Sequence, residues 1–206
     1  MSKGPHARKL SEGNTVALDM HALGTLQYIR AAIDAAGVLA VPGSAGIAMG
    51  CVGVAAALLA AHPAFAPHWL LIWVIASVAA FLCGSALIAH QALRTERALF
   101  RRPTRKFLLL LAPPLLVGAV LTLSLWREHE ESLIPGLWLL LYGSAVSAAS
   151  TLTGRLVGIM GGLFLVLGVT ALALPPVAGN WLLGGGFGGL HLLFGVLIGR
   201  ANNEQH

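Results

Sequence analysis

The stretch WLLIWVIASVAAFLCGSALIA, residues 69–89, runs for twenty-one residues without a charged side chain. At about 1.5 Å of rise per residue, a helix of this length spans the roughly 30 Å of bilayer hydrocarbon. The composition then reverses. Arg94, Arg97, Arg101, Arg102, Arg105 and Lys106 crowd the following loop against a single acid, Glu96. An uncharged run that ends on a cationic loop reads as a membrane span arriving at the cytoplasmic face.

Working outward from this run, five more stretches are long and apolar enough to cross a membrane. The six are Ser44–Ala61, Trp69–Ala89, Phe107–Leu125, Ile134–Leu152, Leu156–Leu174 and Trp181–Gly199. The fourth and fifth are divided only by Thr153-Gly154-Arg155, a turn of headgroup character. Across all 206 residues, 57% are hydrophobic and 10% charged, where a soluble domain carries about a quarter charged. That deficit excludes a soluble enzyme and a disordered chain. It also excludes a nucleic-acid-binding domain, despite a net charge of +5. The fold class that remains is all-α: a polytopic membrane protein of six transmembrane helices.

Orientation follows from the loops. Lys3, Arg8, Lys9 and Arg30 precede the first span, the basic loop (residues 90–106) follows the second, and Arg155 and Arg200 follow the fourth and sixth. The opposite loops hold only Arg127, beside Glu128, Glu130 and Glu131. This asymmetry places both termini in the cytoplasm of a bacterial inner membrane. The even spans each open with Trp-Leu-Leu, at Trp69, Trp138 and Trp181, after a proline-containing loop, so the six read as three hairpins.

Residues 1–14 form a polar tail with no cleavable signal, and 200–206 a second tail flanking the 44–199 transmembrane domain. Between tail and first span, Val16, Met20, Leu23, Ile29 and Ile33 recur at helical spacing. Residues 15–36 therefore read as an amphipathic helix in the headgroup plane, anchored by Tyr28 and ended by the Val41-Pro42-Gly43 elbow. Tyr28-Ile29-Arg30 together with Val41-Pro42-Gly43 resembles uncharacterised bacterial multi-pass membrane proteins, a resemblance of about twenty residues that implies no activity.

Three glycine faces have the spacing of close helix contact: Gly46, Gly50 and Gly53; Gly154 and Gly158; and Gly184, Gly188 and Gly195. Two are accounted for by packing within the chain, and the first-span face is expected to join copies in a homo-oligomer. Cys51 and Cys83 sit in apolar runs and read as buried free thiols. Arg94, Arg97, Arg101, Arg102, Arg105 and Lys106 are candidates for anionic lipid headgroups. No ligand spacing for a metal and no cofactor motif is present.

His191 is the one ionisable side chain near the middle of a span, which makes it a site hypothesis. Ser144, Ser147 and Thr151 form a hydroxyl stripe on the fourth span. Counted from the opening tryptophans, Ser147 and His191 reach equal depth, so His191 is expected to be buried against the fourth helix, neutral and hydrogen-bonded to Ser147 or a nearby backbone carbonyl. Gly143-Ser144-Ala145-Val146 with His191, Gly195 and Gly199 faintly resembles rhomboid intramembrane proteases, which would imply a Ser–His dyad. However, Ala145 stands where that family has glycine, as does Phe194, and Trp126-Arg127 lies after the third span rather than the first. Oxyanion donors cannot be assigned. The reading is therefore a non-catalytic membrane assembly unit, oligomeric or partner-bound. A solute or ion pathway lined by Ser147, Thr151 and His191 is the alternative, and a rhomboid-like protease the third.

The cation asymmetry yields a direct expectation. A cysteine at Glu130 should react with an impermeant thiol reagent added outside intact cells, and one at Arg102 should be protected.

Overall fold

The computed structural model describes Leu26 and residues 42–94 and 102–203. Apart from Leu26, the expected amphipathic helix at 15–36 lies outside the described residues, as do the N-terminal tail, residues 37–41, loop residues 95–101 and the last three residues. Five helices come first: α1 (Gly43–Ala61), α2 (Trp69–Arg94), α3 (Arg102–Arg127), α4 (Ile134–Thr153) and α5 (Arg155–Ala173). The sixth span has three consecutive parts: α6 (Gly179–Leu183), a π-helical segment (Gly184–Leu190) and α7 (His191–Asn203). Among the described residues the regular structure is all helical, with six spans long and apolar enough to cross a membrane. Short 3₁₀ turns at Ala66–His68, Glu131–Leu133 and Pro176–Ala178 lead into the three even spans. They share the entry geometry that the repeated Pro and Trp-Leu-Leu pattern suggests.

Neighbours in sequence are not always the closest partners. The most extensive packing joins α4 to α5 and α1 to the sixth span, while α2 packs on α1 and α3 on α4. Without a hydrophobic driving force between helices in lipid, such contacts depend on close van der Waals approach. The glycines supply it. A Cβ on Gly46 would lie 2.9 Å from the Cα of Gly195, and one on Gly53 would lie 2.6 Å from the backbone N of Gly188. From the other side, Cβ atoms on Gly184, Gly188 and Gly195 would strike Ala57, Val54 and Ile47. On the α4–α5 seam, a Cβ on Gly158 would come 3.1 Å from the Ser150 Oγ.

This corrects two expectations. The Gly46–Gly50–Gly53 face is covered by the chain's own sixth span, so it offers nothing to a second copy. Gly154 belongs to no packing face: its φ of 105° forms the α4–α5 turn, with open space where a side chain would stand. Left-handed backbone of this kind favours glycine. A third correction concerns Cys51 and Cys83, which are exposed on the outer surface of the bundle.

The core lies where α1, α2, α4, α5 and the sixth span converge, around Trp73, Leu139, Val146, Phe164, Leu183 and Phe194. α3 stays outside it, holding α4 through Gly118 against Leu141 and through a 2.7 Å hydrogen bond from the Trp138 indole N–H to the Thr122 hydroxyl.

Gly53→Ala should destabilise the protein by about 1–3 kcal/mol, since its methyl meets immovable backbone. Gly185→Ala, which meets nothing within 4 Å, should leave stability unchanged or slightly raised. Denaturant unfolding in mixed micelles separates the two.

Candidate functional site

The polar centre of the bundle forms around the π segment, whose sequence is Gly-Gly-Gly-Phe-Gly-Gly-Leu. π turns are rare and collect at functional positions. Here the wide turn is built from residues with almost no side chains. Gly186 backs onto Leu139 and Phe164, and a Cβ there would lie 2.6 Å from the Leu139 Cδ2. The segment thus seats Phe187 and His191, one turn apart, against α4 and α5.

His191 is 3% exposed, and Phe164 beside it is fully buried. Its Nε2 lies 2.7 Å from the Tyr142 hydroxyl of α4. The rings of Tyr142, Phe164 and Phe187 surround it, with centroids 5.4, 5.5 and 6.2 Å from the imidazole. The three also contact one another at 4.8 to 5.3 Å, within the range of favourable tilted and edge-on pairs. The Nδ1 atom is buried and has no hydrogen-bond partner. The Tyr142 hydroxyl can accept from or donate to Nε2, according to which ring nitrogen carries the proton.

The serine partner expected for His191 is not there. Counting from the tryptophans at a constant rise set Ser147 level with His191. That count gives depth but not the direction in which a side chain points. His191 meets Tyr142 instead. Ser147 is turned to α5, where a Cβ on Gly161 would lie 2.5 Å from its Oγ. Ser144 and Thr151 are exposed on the bundle surface, and their hydroxyls donate to the backbone carbonyls of Leu141 and Ala148 at 2.8 and 3.0 Å. The hydroxyl stripe therefore does not converge with His191 into a lined pathway. Neither Ser144 nor Ser147 is its hydrogen-bond partner, as a dyad would require.

A second polar contact went unread in the sequence. The Trp73 indole N–H donates to the Asn180 Oδ1 at 2.9 Å, and the Asn180 Nδ2 donates to the Ala57 carbonyl at 3.0 Å. This amide clamps α2, α1 and the sixth span together near the end where α6 begins. Its only signal was a lone asparagine at the opening of an apolar run. Of the basic-loop candidates, Arg97 and Arg101 fall outside the described residues, Lys106 is exposed, and Arg94 and Arg102 close α2 and open α3. Arg105 lies in the first turns of α3. Among the described residues no three His, Cys, Asp or Glu side chains converge as a metal site would require.

Comparisons with protein-family models, curated proteins and solved structures find no match for this chain. Interpretation of the site rests on its geometry.

A double-mutant cycle tests that geometry. Tyr142→Phe combined with His191→Leu should show a coupling of about 0.6–1.7 kcal/mol, the range for interhelical hydrogen bonds in membranes. Ser147→Ala combined with His191→Leu should be additive to within about 0.5 kcal/mol.

Proposed function

We propose that this protein is a non-catalytic integral protein of a bacterial inner membrane, with both termini cytoplasmic, that works as a self-associating assembly unit. The surface for a second copy is the outer face of α2 and α3. One observation carries the reading. The apolar windows of these spans are 11% and 6% buried, whereas those of the other four are 33–44% buried. Leu115, Leu116, Val117, Val120 and Leu123 form much of the open α3 surface. Lipid solvates such a face, but it gives a helix little hold on its neighbours, because hydrocarbon is as apolar as leucine. α3 is fastened chiefly to α4, and a second copy packed on its open side would supply the missing contact.

Two further observations support a role without nucleophilic catalysis. His191 is occupied by a tyrosine and aromatic rings rather than a serine. In addition, the polar groups of the core join helices to one another instead of facing a shared open space.

In a background with Cys51→Ser and Cys83→Ser, cysteines at Leu116 and Val120 should cross-link between copies in native membranes. Cysteines at Val166 and Val169 are comparably exposed on α5 and should leave monomers. Equal yields from both helices would contradict the proposed surface.

A further inference from the structure

At the end of the bundle that carries Arg94 and Lys106, α1, α2 and α7 enclose a surface groove of about 400 Å³. That volume falls within the roughly 300–1,000 Å³ of small-molecule sites. Pro42, Gly43, Gly195 and Gly199 form its floor, where the α1 and α7 backbones meet closely. Ile47 and Val196 are its apolar walls. Arg200 and Ser44, both exposed, stand at the polar edge where the spans leave the hydrocarbon. Gln91 of α2 completes the lining.

Among the described residues, the charge lining this groove is that of Arg200 alone. No Asp or Glu lines it, and among the described residues no ion pair involves Arg200. The described carboxylates, Glu128, Glu130 and Glu131, stand at the opposite end of the bundle beyond α3. A groove with apolar walls, open to the side and ending on an exposed guanidinium that pairs with no described carboxylate has the chemistry of one amphiphile. The walls take hydrocarbon, and the fork of N–H donors takes a phosphodiester.

We propose that this groove binds an anionic phospholipid, one acyl chain lying between Ile47 and Val196 and the phosphate held by Arg200. The site is separate from the α2–α3 outer face and does not depend on self-association. It also differs from the diffuse attraction of the basic loop, because it has a shape that a single chain can occupy.

The test uses the full chain in nanodiscs of equal phosphatidylglycerol and phosphatidylcholine, with retained lipids counted by native mass spectrometry. Phosphatidylglycerol should be retained selectively by the wild-type protein. Arg200→Gln, an exposed change that leaves packing intact, should lose that selectivity, and Arg200→Lys should partly restore it. Val196→Trp should lose it by filling the groove while Arg200 remains. Arg105→Gln in the basic loop should retain it. Equal retention of both lipids by wild type would overturn the proposal, as would unaltered selectivity in Arg200→Gln. Displacement of phosphatidylglycerol by inorganic phosphate would also overturn it, assigning Arg200 to a free anion instead.

Discussion

Backbone-to-backbone contact between the first and last spans governs the rest of this structure. Gly46, Gly50 and Gly53 of α1 meet Gly188, Leu192 and Gly195 of the sixth span with no room for a methyl group between them. Chain ends that pack together close the bundle around the sixth span. Four spans then supply most of the buried surface, while α2 and α3 are left at its margins. The π segment belongs to the same constraint. Its glycines let the sixth span press against α1 on one side and α4 on the other. The wide turn brings His191 and Phe187 inward together.

Side-chain hydrogen bonds tie this framework at three places: Trp73 to Asn180, Trp138 to Thr122 and Tyr142 to His191. Each joins two spans, and each satisfies a group that would be costly to leave unpaired in hydrocarbon. Such bonds average only about 0.6 kcal/mol in membrane proteins. Their larger effect is on register, since each is formed at one depth and one helix rotation. Asn180 sets the level of α6 against α1 and α2, and Tyr142 sets the level of α7 against α4. The Arg200 groove lies beside the same α1–α7 contact.

Much of this was legible in the sequence. The uncharged runs and their cationic loops mark six spans, and helix ends at Ala61, Trp69 and Ile134 fall where the runs begin or end. The glycine spacing identifies which faces pack closely. Spacing shows a face but not its neighbour, however, so nothing in Gly46–Gly50–Gly53 distinguishes a second copy from the chain's own sixth span. His191 is recognisable as a buried polar centre from its depth alone. Its partner is not, because a depth count cannot show that Ser147 faces α5 rather than the sixth span. Ser144 and Thr151 look like a polar lining until their carbonyl hydrogen bonds are seen, which let a hydroxyl face lipid without being unsatisfied. Asn180 was missed because a single amide beside a proline loop reads as loop chemistry.

The closure of α1 on the sixth span within one chain is tested most directly by magic-angle-spinning NMR in bilayers. The observable is the through-space carbon correlation between Gly53 and Phe187, whose carbonyl carbon lies 2.5 Å from the position a Gly53 Cβ would take. The cross-peak should be present, and its intensity per labelled chain should be unchanged when labelled protein is diluted into unlabelled protein. A cross-peak that fades on dilution would mean that the glycine face of α1 meets another copy. Absence of the peak at any dilution would mean that the two spans do not meet at all.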